Sequence, residues 1–128
     1  MAMGADAVSI GSAAMIALNC NADMYPEDYE KLGTAAGYCH HCHTGKCPVG
    51  VATQDPELEK RLEPELAGKR VKTYLATLTL ELQTLARANG KSDVRNLEPE
   101  DLAALTVEAA AMARVPLAGT NWIPGHKL

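Results

Sequence analysis

Between Tyr38 and Gly50 the chain reads Tyr-Cys-His-His-Cys-His-Thr-Gly-Lys-Cys-Pro-Val-Gly, and no other stretch constrains the fold as strongly. It holds three of the four cysteines, Cys39, Cys42 and Cys47, and three of the four histidines. Thiols at Cys-x2-Cys-x4-Cys spacing cannot all pair as disulfides without strain, yet their thiolates can converge on one soft metal centre. Gly45 and Gly50 let the backbone curl around such a centre, because glycine accepts positive φ. The rest of the chain is organised around this loop.

Two metal readings and a bland one fit the spacing. Pro48 follows Cys47, and a Cys-Pro step closes ferredoxin-type iron–sulfur runs, in which backbone N–H groups also tune the potential. Zinc is the rival, since Cys39, Cys42 and Cys47 with one of His40, His41 or His43 make a set of four sulfur and nitrogen donors. The bland alternative is a group of buried, unliganded cysteines. The histidines are expected to face solvent or to hydrogen-bond the ligands, not to bind metal themselves.

The 128 residues are enough for one modest domain with one core, and 47% of them are hydrophobic, within the globular range. A formal net charge of −4 argues against nucleic acid, which calls for a basic surface. A zinc knuckle of the form Cys-x2-Cys-x4-His-x4-Cys fails as well, because position 47 is Cys and position 52 is Ala. No apolar run approaches the roughly 20 residues a bilayer span needs. Met1 to Asp6 contains no basic n-region, so no secretory signal is expected. Clustered thiols without such a signal fit a reducing cytoplasm.

Along the chain, Ala7 to Ile10 is a short apolar run flanked by Asp6 and Gly11, consistent with a buried strand. Gly11 and Ser12 then turn the chain into a helix over Ala13 to Leu18 that ends at Cys20. A strand, a glycine turn and a helix start place free N–H groups where a phosphate could sit, although an ordinary strand-to-helix turn looks the same. Residues 21–37 form a polar insertion with a short helix from Pro26 to Leu32, stopped by Gly33. Cys20 can return to the loop as a fourth thiolate or remain a core cysteine at a helix end.

After the loop the chain turns helical. Asp55 and Pro56 read as the cap and first residue of a helix through Leu62. Pro64 begins a longer one, ended by Gly90, in which Val71, Tyr74, Leu75, Leu78, Leu82 and Leu85 form an apolar stripe expected to pack into the core. A further helical region runs from Glu98 through Ala113 and stops before Pro116. The tail from Leu117 to Leu128 should be irregular, with Trp122 anchoring it to a neighbouring surface.

Three stretches together resemble one family. Gly4 to Ala14 is similar to the last barrel strand and phosphate turn of the FMN-binding domain of glutamate synthases. Ala17 to Cys20 is similar to the point where that family's first cluster cysteine follows the helix. Cys42 to Asp55 resembles the family's cluster loop and exit, and the N-methylglutamate synthase FMN subunit shares this domain.

The resemblance implies an α/β fold class: the C-terminal end of a (β/α)8 barrel (last strand and helix), then an iron–sulfur loop and a mostly α-helical extension. It implies residues 1–19 as the last barrel unit, 20–55 as the cluster segment with an insertion, and 56–128 as the helical extension. Gly11 and Ser12 match the FMN phosphate turn, and Cys20, Cys42 and Cys47 match the ligands of a [3Fe-4S] cluster. Cys39 is additional and leaves room for [4Fe-4S], or for Cys39 in place of Cys20. The interval from Asn21 to His41 is also longer than the family's usual one. The implied activity is that of an oxidoreductase passing electrons through the cluster to FMN, for reductive formation of glutamate from 2-oxoglutarate or of N-methylglutamate. The implied partners are the remainder of the synthase barrel and glutaminase or electron-donor subunits. With about one barrel strand present, the chain is expected to be the C-terminal piece of a larger enzyme and inactive alone.

Overall fold

The computed structural model describes residues 1–126, so the end of the expected irregular tail, Lys127 and Leu128, lies outside the described residues. Five α-helices carry the structure: α1 (Gly11–Ala17), α2 (Pro26–Lys31), α3 (Pro56–Glu59), α4 (Pro64–Ala88) and α5 (Val107–Ala113). Short 3-10 turns occupy Cys42–Thr44, Val94–Asn96 and Pro99–Asp101. The chain divides into two compact units, residues 10–77 and residues 1–9 with those from 78 onward, where the sequence suggests a single core.

Helix ends follow local chemistry. In α1 the amide of Asn19 bonds the Ile16 carbonyl at 2.9 Å and that of Cys20 bonds Met15 at 3.0 Å, with Asn19 itself at φ 91°. This is a Schellman ending in which asparagine takes the left-handed position usually held by glycine. Gly33 and Gly90 close α2 and α4 in the same way, as the sequence predicts: Gly33 and Thr34 bond back to Glu30 and Tyr29, and Gly90 and Lys91 to Arg87 and Ala86. Asp55 caps α3, accepting from the amides of Glu57 at 2.9 Å and Leu58 at 3.4 Å. That helix stops at Glu59, short of the expected Leu62. Its last turn tightens through i→i+3 bonds at Arg61 and Leu62, and Pro64 disfavours helical backbone at Glu63.

The expected strand over residues 7–10 forms no ladder, and Val8 and Ile10 are exposed. A strand is stable only when its backbone is paired, and this stretch has no sheet to join among the described residues. The only β pairing there is a parallel bridge between Ala104 and Leu117.

The long helix also departs from expectation. Leu75, Leu82 and Leu85 of its apolar stripe are 40%, 38% and 57% exposed, so that part of the stripe is not covered. The helical region expected from Glu98 to Ala113 is split. Leu102 is extended, the bridge takes up Ala104, and the Thr106 hydroxyl caps α5 by accepting from Ala109 at 3.2 Å. Ala104, Ala110 and Val115 form a small core with Leu102, Ala113 and Leu117 against it. Trp122 is 41% exposed, and its carbonyl accepts from the Leu117 amide at 3.0 Å.

A candidate metal centre of four cysteines

The core of the unit formed by residues 10–77 is the cysteine loop itself. Tyr29, Cys47 and Val49 are buried together, and Ala22, Tyr25, Ala36, Cys39, Val51 and Ala52 pack against them. Pro48 is fully buried as well. Tyr29 keeps its hydroxyl satisfied by donating to the Ala22 carbonyl at 3.1 Å. Its ring closes the gap between the helix that follows Ala22 and the loop that carries Cys47. Burying an aromatic ring of this size contributes about 2–3 kcal/mol.

The loop is held by its own side chains. Cys42 opens a 3-10 turn that ends at Gly45, φ 71°. Thr44 donates from its hydroxyl to the His41 carbonyl at 2.8 Å and accepts from the Lys46 amide at 3.2 Å. Thr53 donates to the Gly45 carbonyl and accepts from the Asp55 amide, which links the loop to the start of α3. At Gly50, φ 78°, a β-carbon would collide with the Leu58 carbonyl oxygen and stand 3.0 Å from the Leu62 nitrogen. Glycine is therefore required there by both conformation and space. The three histidines of the loop stack on one another, with ring centroids 4.6 Å apart for His40 and His41 and 6.1 Å for His41 and His43.

All four predicted cysteines are free thiols. Cys47 is buried, Cys20 and Cys39 half-buried, and Cys42 exposed. Burial pushes the Cys20 thiol up, and negative charge on Cys42, Cys47 and Cys39 pushes it the same way. The Tyr29 hydroxyl is pushed up to about 12, first by burial and then by charge on Cys39, Cys20 and Cys47. Cys47 and Cys39 belong to the Tyr29 core. A cation among them would relieve the crowding of negative charge.

The donor set suits a cluster. In a single tetrahedral zinc site the sulfurs stand about 4 Å apart. Among the described residues no three His, Cys, Asp or Glu groups are gathered so as to hold one metal ion. Thiolates on an iron–sulfur cluster bind different iron atoms and need not approach one another that closely.

The expected FMN phosphate turn lies at the start of α1. Gly11 and Ser12 lie in the first turn of α1, where Ile10 gives no side-chain cap, so the helix's leading N–H groups are open. Nothing lies within 4 Å of a β-carbon placed on Gly11, and both residues are exposed. The surface around them is open, and the described residues build no pocket for a flavin ring there.

Two residues important to the site escape a reading by cysteine spacing. Asn21, at φ 61°, accepts from the Cys39 amide at 2.9 Å and donates to its carbonyl at 3.3 Å. Arg61 donates from Nη1 to Asp28 at 2.7 Å and to the Pro48 carbonyl at 2.8 Å, and its guanidinium lies 4.1 Å from the Tyr25 ring centre. An asparagine on each side of Cys20 was the one legible hint, because Asn is the non-glycine residue best suited to left-handed backbone.

A helical unit whose loop carries three free cysteines, with a fourth just after α1, is a candidate iron–sulfur segment. The conserved region in glutamate synthase matches residues 1–92, and the chain belongs to that family. It is 60% identical over 125 residues to a glutamate synthase large subunit-like protein of Rhizobium meliloti, covering 98% of this chain and 28% of that protein. It is 40% identical over 97 residues to an archaeal glutamate synthase (NADPH) of Methanocaldococcus jannaschii, covering 76% of this chain and 16% of that protein. It is 36% identical over 90 residues to a glutamate synthase large subunit-like protein of Bacillus subtilis, covering 70% of this chain and 14% of that protein. The chain thus spans less than a third of the relatives it matches. No solved structure matches it. No helix among the described residues is long and apolar enough to cross a membrane.

Proposed function

We propose that this chain is the cluster-bearing segment of a glutamate synthase-type oxidoreductase, working as part of a larger enzyme. The observation that carries this reading is that Cys47 and Cys39 share the Tyr29 core and that Asn21 bonds the Cys39 backbone beside Cys20. The finer reading is that the segment relays electrons toward FMN, for reductive formation of glutamate from 2-oxoglutarate. Residues 1–19 then belong to the end of a (β/α)8 barrel whose other strands pair with residues 7–10. The partners are the rest of that barrel and the glutaminase or electron-donor subunits, and the compartment is the reducing cytoplasm.

An iron–sulfur cluster, when bound, supplies one-electron transfer at a potential set by its surroundings. The chain's own residues do the rest. Cys47 presents its sulfur from a buried loop, and Pro48 and Val49 beside it exclude water. Gly45 and Gly50 shape that loop. The thiols of Cys20 and Cys39 come from opposite ends of the insertion. Cys42 and Cys47, with Cys20, Cys39 or both, would hold the cluster as thiolates.

The test is iron and acid-labile sulfide analysis with an absorption spectrum on anaerobically purified protein. A brown protein with both elements supports the reading. A colourless protein with one zinc per chain and no sulfide overturns it.

A further inference from the structure

Asn21 touches both ends of the insertion that separates Cys20 from Cys39. Its Oδ1 accepts from the Cys39 amide at 2.9 Å, and its Nδ2 donates to the Cys39 carbonyl at 3.3 Å. The same Nδ2 points at the Cys20 sulfur from 3.9 Å. The partners of the Cys39 contacts are 18 positions apart, so one side chain closes the whole insertion. The backbone is bent to achieve this. Asn19 at φ 91° ends α1, and Asn21 at φ 61° makes a second left-handed bend that the helix ending does not require. That second bend aims the amide at Cys39.

We propose that Asn21 is a positioning residue of the thiol centre: it locks the Cys39 backbone beside Cys20 and places an N–H on the Cys20 sulfur, which raises the reduction potential of the bound cluster. The inference rests on the reading of these thiols as iron–sulfur ligands. The sign follows from charge. Reduction adds an electron to the cluster and its thiolates, and an N–H aimed at a ligand sulfur stabilises the more negative state.

Two substitutions separate the contacts. Asn21→Asp keeps an oxygen for the Cys39 amide and still tolerates left-handed backbone, but it loses both N–H donations and gains a negative charge. Asn21→Gly stays neutral, removes all three contacts and introduces no backbone strain. Each protein is purified anaerobically, assayed for iron and sulfide, and titrated against redox mediators with the cluster's electron paramagnetic resonance as readout. The expected order of potentials is wild type, then Asn21→Gly, then Asn21→Asp lowest. The Asp variant should shift the one-electron equilibrium at least tenfold toward oxidised cluster, about 59 mV. A purely structural clamp would change iron content or melting temperature and leave the potential of the remaining cluster unmoved. Wild-type potential in the Gly variant overturns the role of Asn21 while leaving the cluster intact as a finding. Absence of iron and sulfide from the wild-type protein overturns the cluster reading, and this inference with it.

Discussion

The guanidinium of Arg61 donates from Nη1 to the carbonyl oxygen of Pro48 at 2.8 Å, so a residue beyond α3 holds the Cys47–Pro48 step in place. The same nitrogen reaches Asp28 at 2.7 Å, and the cation lies over Tyr25. Arg61 therefore ties α2, the cysteine loop and the segment after α3 to one point.

Removing that tie should destabilise the unit. Arg61 and Asp28 side chains are 26% and 28% exposed, so solvent screens the pair only in part. Arg61→Ala should cost about 2 kcal/mol, from a charged hydrogen bond to a carbonyl and the stacked contact. Arg61→Lys should recover less than half of this, because one ammonium cannot reproduce the planar fork. Urea denaturation followed by circular dichroism measures both. An unchanged midpoint for the alanine variant would show that Arg61 does not hold the loop.

Two loop glycines should respond differently to the same change. Gly45→Ala meets only the left-handed backbone, φ 71° with open space around the added carbon, and should cost about 1–2 kcal/mol. Gly50→Ala adds a collision with the backbone of Leu58 and should cost more than about 3 kcal/mol or prevent folding of the loop. Thermal melts of the two variants compare them directly; equal losses would remove the steric argument at Gly50.

Acid stability should depend on Asp28. Hydrogen bonds from Lys31 and then from Arg61 hold its carboxyl below the usual carboxylate range. A lowered folded-state value means that the ionised form is favoured by folding. Its contribution is present above the ordinary Asp value of about 3.9 and is lost as pH falls through the lower folded value. Asp28→Asn should therefore lower stability at neutral pH and flatten the acid limb of a stability–pH profile. A profile parallel to that of the wild type would show that the pairing contributes nothing.

Cys42 and Cys47 should separate ligation from packing. Cys42 is exposed, so Cys42→Ser should change the stability of the metal-free protein by less than about 0.5 kcal/mol and yet lose the cluster. Cys47 is buried, so Cys47→Ser should lose the cluster and also destabilise the metal-free protein by about 1–3 kcal/mol through a hydroxyl without a partner. Iron analysis and melting curves on the same preparations check both. Full iron content in Cys42→Ser would exclude that thiol as a ligand.

Flavin affinity should be weak for this chain alone. The start of α1 is uncapped and open, and a flavin ring needs a pocket that buries most of its surface. Titration of FMN by fluorescence quenching should show no stoichiometric binding at micromolar concentrations. Tight binding would mean that residues 1–126 build a pocket not evident from the open surface around Gly11.

Much was legible in the sequence because local chemistry decides it. Gly33 and Gly90 end their helices, since glycine takes left-handed backbone at least cost. Pro26, Pro56 and Pro64 begin theirs, because a residue without an N–H loses nothing in a first turn. Spacing and sulfur chemistry marked Cys39, Cys42 and Cys47 as a candidate centre, and Cys20 joined them only through the family resemblance. Other features needed the folded chain. The run over residues 7–10 has strand composition, but a strand exists only where another backbone pairs with it. The Leu75, Leu82 and Leu85 face is amphipathic by pattern, and pattern does not say what covers it. Asn21 and Arg61 reach the loop across 18 and 13 positions, and no local rule selects a partner at that range. The sequence by itself thus determined the proline starts of α2, α3 and α4, the glycine ends of α2 and α4, and which atoms could bind metal. Only the tertiary structure decided that Tyr29 and Cys47 share a core, that Gly50 must lack a β-carbon, and that Asn21 faces Cys39, because each depends on which distant backbone arrives beside it.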